Sequence, residues 1–182
     1  MAIEEIEKII AGCKAGDEVS YRKLVDIYSP RCFSYFCRIS GNRAVSEDLL
    51  SELFVKLVTK MGNFRGGSFD GWIFAVAGNI FRDFLRSKQR EKKLFDRQSQ
   101  EIEEASDIVE YKSEDGFDEL QFELNKLDAD TREVLTLRYY SGLGFKEIAE
   151  MRGEPIGTTL SKVHRGIKKL KESLEMGLGK NE

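Results

Sequence analysis

The chain has 182 residues, of which 41% are hydrophobic and 34% charged, with two prolines and a formal net charge of −3. That balance supports a packed core made by helices with solvated faces and argues against a strand-and-turn architecture, while the length admits one ordinary domain or two small ones. The longest apolar run, Trp72 to Ala77, is far short of the roughly 20 residues of a membrane span, so membrane insertion is not expected.

In chain order, Ile3, Ile6, Ile9 and Ile10 fall at helical spacing up to the break at Gly16 and Asp17. Ser20 is placed to cap a second helix carrying Leu24, Ile27 and Tyr28, which Pro30 should interrupt or reshape. Phe33, Phe36 and Cys37 continue an apolar face to the turn signal Ser40-Gly41-Asn42. A third helix starts near Ser46, with Leu49, Leu50, Leu53, Phe54, Leu57 and Val58 on one face, and ends around Met61 to Asn63. Asn63 to Ser68 reads as a loop. From Phe69 to Leu85 the apolar residues keep the 3.6 period closely, predicting a long amphipathic helix to about Arg90.

Residues 94–119 are acidic and poor in large apolar side chains, which predicts a linker that is flexible or ordered by a partner, with room for a short helix. A second domain opens at Leu120 with Phe122, Leu124 and Leu127, followed by a helix from about Asp130 to Tyr140 and the break Ser141 to Gly144. Ile148 and Ala149 sit on a short helix that stops at Gly153, and another helix begins near Pro155 or Ile156. This is a helix-turn-helix outline: a small residue lets the helices cross closely, and glycine supplies the positive φ at the first helix's end. The expected architecture is therefore all-α, two small helical domains over residues 1–93 and 120–182 joined by the acidic linker.

Charge is partitioned along the chain rather than averaged. Arg82 to Lys93 carries a local net of +4, Leu94 to Glu123 a net of −9, and Ile156 to Glu172 again +4. Two basic segments flanking an acidic one fit two nucleic-acid contacts and a connector. In the last helix Ile156, Val163, Ile167 and Leu170 are expected to face inward. That leaves Thr158, Ser161, Lys162, Arg165, Lys168 and Lys169 for DNA, the early ones placed for base edges and the later basic ones for phosphates. The three cysteines lack CxxC spacing and His164 is remote from them, so neither a metal nor a cofactor is expected, and the cysteines read as small apolar residues.

The segment Leu135, Arg138, Tyr139, Tyr140, Gly142, Leu143, Phe145, Glu147, Ile148 and Ala149, followed by Gly157, Thr158, His164 and Arg165, resembles region 4 of the extracytoplasmic-function sigma factors of the sigma-70 family. Ser46 to Phe54 resembles region 2.2 of the same family. Phe64 to Phe69, Trp72, Ile73, Val76, Ala77, Asn79, Asp83 and Arg86 resemble regions 2.3 and 2.4. Both sets occur in family order and cover nearly the whole chain.

The resemblance implies a non-enzymatic initiation factor that binds core RNA polymerase and promoter DNA, with an anti-sigma factor as a further partner, acting in the cytoplasm. Asp48 and Glu52 would dock on the polymerase. Asn63, Phe64, Arg65, Asn79, Arg82 and Arg86 would recognise and help melt the minus-ten element, and the six outward residues of the last helix would read the minus-35 element. Trp72 and Leu57 are expected in the core. The chain departs from the common pattern at Ser51 (often glutamine), Gly78 (often arginine), Thr159 (usually valine) and Leu160 (often lysine). Two alternatives stand beside this: a polymerase-independent helix-turn-helix regulator, which leaves the region-2 resemblance without a task, and a sigma-like decoy that only binds an anti-sigma protein.

Overall fold

A computed structural model describes residues 3–98 and 119–178. The described residues form α1 (Ile3–Lys14), α2 (Glu18–Ser40), α3 (Arg43–Lys60), a 3-10 turn (Met61–Asn63), α4 (Phe69–Gln98), α5 (Glu119–Asn125), α6 (Ala129–Tyr139), α7 (Phe145–Arg152) and α8 (Ile156–Leu178). The flexible character expected of the acidic linker falls on residues 99–118, which lie outside the described residues.

The apolar stripes explain the packing of the first bundle. Ile9, Ile10 and Cys13 of α1 meet a buried face of α2 made by Leu24, Tyr28, Cys32, Tyr35, Phe36 and Ile39. Leu49, Leu53 and Leu57 of α3 and Ile73, Phe74, Ala77 and Ile80 of α4 close the same core. Shortening any of these leucines to alanine leaves a void, a change that costs about 2–5 kcal/mol in well-packed interiors. Cys13, Cys32 and Cys37 are all buried free thiols, and burial pushes Cys32 up to about 12, so they serve as small apolar groups.

Helix starts and stops differ from the sequence expectation in instructive ways. Asp17, not Ser20, caps α2: its carboxylate accepts from the Ser20 amide at 2.9 Å, and Ser20 lies inside the helix. Asn42 caps α3 through the Val45 amide at 2.9 Å, and Ser46 is buried one turn later. Pro30 does not interrupt α2. The lost intrahelical bond costs about 3 kcal/mol, and the continuous buried face on both sides of Pro30 offsets it. Helix α4 runs past Arg90 and past residue 93 to Gln98, because its last turns hold strong helix formers such as Lys88 and Glu91, paired at 3.0 Å, that need no burial.

The second bundle packs α6 and α7 against α8, with Val134, Leu137, Leu143, Ile148 and Val163 buried between them. Gly153 ends α7 at φ 63°, the left-handed conformation expected there. Gly166 lets α8 approach α6 closely, since a Cβ there would stand 2.7 Å from Thr131 Cγ2. The two bundles touch through α2 with α6 and α4 with α7.

Candidate nucleic-acid interface

Helix α8 presents its first turns outward. Thr158, Ser161, Arg165, Lys168 and Lys169 are exposed, whereas Thr159 and Val163 point into the bundle. Ile156, expected inside, is 49% exposed: at the first position of α8 it has no preceding turn to pack under. Thr159 takes the inward place instead, and its hydroxyl donates to Glu154 Oε1 at 2.7 Å.

Lys162 sits differently from its neighbours. Its ammonium pairs with Asp130 at 2.6 Å and Glu154 at 2.5 Å, and its side chain is only 15% exposed. Burial would lower its pKa, but the hydrogen bonds to Asp130 and Glu154 outweigh that and raise it, keeping the charge fixed inside the domain. The neighbouring Asp130 is held below the usual carboxylate range, with Lys162 and Arg152 overcoming the effect of burial.

In the first bundle, Asn63, Arg65, Asn79 and Arg86 are exposed. Arg65 precedes Gly66 and Gly67, both at positive φ, so the loop turns sharply on residues that tolerate it. Phe64 lies elsewhere: it is 7% exposed, edge-on to Phe69 at 5.2 Å and tilted against Trp72 at 5.5 Å. Lys14 covers its ring at 5.3 Å and donates to its carbonyl at 2.7 Å. Trp72 and Leu57 belong to the core or pack against it, as expected.

Arg82 reaches away from the loop. One nitrogen donates to Asn79 Oδ1 at 2.7 Å and the other to Glu133 Oε1 at 3.0 Å, across to the second bundle. Arg86 pairs with Asp83 at 2.5 Å on the exposed side of α4. Asp48 and Glu52 are both exposed, one turn apart on α3, with Glu52 paired to Lys56 at 2.5 Å. Among the described residues no His, Cys, Asp and Glu cluster could hold a metal, and no helix is long and apolar enough to cross a membrane.

Residues 24–91 match the family model for sigma-70 region 2, and residues 117–170 match the one for sigma-70 region 4. The extracytoplasmic-function sigma factor EcfG of Rhodopseudomonas palustris is 30% identical over 78% of this chain and 77% of its own length. The chain belongs to the extracytoplasmic-function sigma factors of the sigma-70 family. As a sigma factor it acts with RNA polymerase in promoter-specific transcription initiation. The family member SigE of Mycolicibacterium smegmatis is 31% identical over 85% of the chain, which spans 62% of that longer protein. The sigma factor RpoE of Bartonella quintana, solved in complex with the anti-sigma factor NepR, superposes with a TM-score of 0.70 at 28% identity, covering 85% of this chain and 96% of that one.

Four residues outside the sequence-derived set organise the sigma factor's centre: Tyr35, Gly78, Glu133 and Arg152. Glu133 is 5% exposed and accepts from Tyr35 at 3.2 Å, from Arg82 and from Arg152. The available sequence signal was a carboxylate on the inward face of α6, one turn before buried Leu137, where an apolar residue is the norm.

Proposed function

We propose that this sigma factor divides its work between its two domains. Residues 1–93 dock on core polymerase through Asp48 and Glu52, and recognise and melt the minus-ten element through Asn63, Arg65, Asn79, Arg82 and Arg86. Residues 120–182 read the minus-35 duplex with α8, Thr158 and Ser161 addressing base edges and Arg165, Lys168 and Lys169 the phosphates. Residues 94–119 connect the two. The single observation that carries this is the outward leading face of α8, polar first and basic later, on a helix-turn-helix whose other face is packed. Phe64, buried beside Phe69 and Trp72, takes a supporting place under the loop rather than a stacking one, and Lys162 orders α8 from within. The protein works in the cytoplasm without catalysing a reaction itself, and takes an anti-sigma partner, as the Bartonella quintana factor does with NepR.

Run-off transcription with purified core polymerase over a promoter library tests the whole assignment. Glu52→Arg should weaken core binding measured without DNA, because it places a like charge opposite a basic docking surface. Pre-melting the promoter should rescue Arg65→Ala more than Ser161→Ala. Tight sequence-specific binding by the free protein, without association with core polymerase, identifies a polymerase-independent regulator instead.

A further inference from the structure

We propose that the free sigma factor holds itself shut through a latch between its two domains, centred on Glu133, which ties up Arg82 until the domains part. The inference rests on the sigma-factor function proposed above. Glu133 belongs to α6 of the second domain, yet Tyr35 of α2 and Arg82 of α4 both donate to its Oε1, at 3.2 and 3.0 Å. Arg152 of α7 closes the other carboxylate oxygen from the second domain's side. The same interface is pinned at its edges: Arg31 donates to the Ser141 carbonyl at 2.9 Å, Arg132 to the Ile39 carbonyl at 3.1 Å, and Arg38 to the Gln121 amide oxygen at 3.1 Å.

Gly78 is what lets the carboxylate in. A Cβ at this position would stand 2.7 Å from Glu133 Oε1 and 3.4 Å from the Tyr35 hydroxyl, so the carboxylate would have to shift from its present seat, and a side chain longer than alanine would displace it further. Gly78 also stands where the resembled family pattern often has arginine, so the latch is built on a departure from that pattern.

The consequence is geometric. Arg152 bonds Glu133 and Asp130 together, and Asp130 pairs with Lys162 at 2.6 Å. Arg82, assigned to the minus-ten element, and Lys162, on the helix assigned to minus-35, therefore sit at the two ends of one unbroken chain of ion pairs. Elements separated by more than one helical turn of DNA lie over roughly 34 Å apart, and side chains linked in this way cannot serve both. Because a holoenzyme must present both readers, core polymerase takes the open form, and the latch lowers its apparent affinity by the fraction of molecules open.

Small-angle X-ray scattering of the full chain without polymerase, on wild type, Gly78→Leu and Glu133→Gln, tests the latch. Circular dichroism checks that each variant stays helical. The wild type should scatter near the radius of gyration of a compact chain of this length, about 16 Å, and Gly78→Leu at least about a quarter larger, the value for two half-size domains whose centres lie one diameter apart. Gly78→Leu should bind core polymerase about tenfold tighter if about one-tenth of the wild type is open. An extended wild type overturns the proposal, as does a Gly78→Leu variant that stays as compact as wild type. If Glu133→Gln loses its fold, the Gly78 variant decides alone. Should Gly78→Leu open while neither protein binds polymerase, the latch stands and the sigma function fails.

Discussion

Phe64→Ala separates packing from DNA contact at the loop before α4. The ring is 7% exposed and lies against Phe69, Trp72 and the Lys14 ammonium. Buried phenylalanine-to-alanine changes cost about 3–5 kcal/mol, and the edge-to-face partner adds to the loss. The position at the domain edge, where the cavity can partly collapse, puts the expectation at the low end, about 3 kcal/mol. With a urea slope of about 2 kcal/mol/M, the unfolding midpoint should fall by about 1.5 M. Arg65→Ala, next in sequence and exposed, should leave the midpoint within about 0.25 M, since isolated surface changes stay near 0.5 kcal/mol, while slowing promoter opening. The assay pairs urea denaturation with permanganate footprinting of the open complex. A Phe64→Ala protein of full stability that fails to open the promoter refutes the packing assignment and makes the ring a stacking platform.

Two further outcomes follow from the ion pairs. Lys162→Ala leaves Asp130 and Glu154 without their ammonium, so it should destabilise the second domain by about 1–3 kcal/mol, whereas exposed Lys168→Ala should leave stability within about 0.5 kcal/mol and reduce the salt slope of promoter binding by about one; equal stability of the two variants contradicts the internal role of Lys162. In the first domain, burial raises the pKa of Asp70, but hydrogen bonds from Arg31 at 2.8 Å and Tyr28 at 2.6 Å outweigh it and hold the carboxyl below its ordinary 3.8. A depressed folded value means the stabilisation is complete above the unfolded pKa and is lost as pH falls through the folded one. Thermal melts should therefore fall steeply below about pH 4 for wild type and less steeply for Asp70→Asn; parallel curves contradict this.

The helices legible in the sequence were those whose burial follows a strict period. The stripe from Phe69 to Leu85 and the Val163, Ile167 and Leu170 series both face the interior or its margin. Periodicity fails at helix ends, where Ile156 is exposed for want of a preceding turn, and where α4 continues on charged helix formers after its apolar stripe stops. It also fails for polar groups buried by partners. Glu133, Thr159 and Lys162 look like surface residues by type, and only their three-dimensional pairing takes them inside. Phe64 is the opposite case: a loop aromatic next to arginine looks available, yet Phe69 and Trp72 pack against it.

These pairings also explain how a chain of net charge −3 can present a basic face on α8, the one proposed to read DNA. In the second domain, Asp130, Glu133 and Glu154 all converge on Arg152, and two of them on Lys162. Those carboxylates are counted in the net charge but are already neutralised within the domain, and Lys162 is consumed with them. What the outer face of α8 keeps is Arg165, Lys168 and Lys169, among which Lys169 acts on Asp128 at the start of α6 and Lys168 pairs with Glu172 of the same helix at 3.7 Å, both exposed. An exposed pair of that kind exchanges readily for a phosphate. If α8 reads the duplex as proposed, its phosphate contacts come from fewer charges than its sequence suggests, and discrimination between promoters would fall to the uncharged leading residues Thr158 and Ser161, whose contacts would not weaken with salt in the way phosphate contacts do.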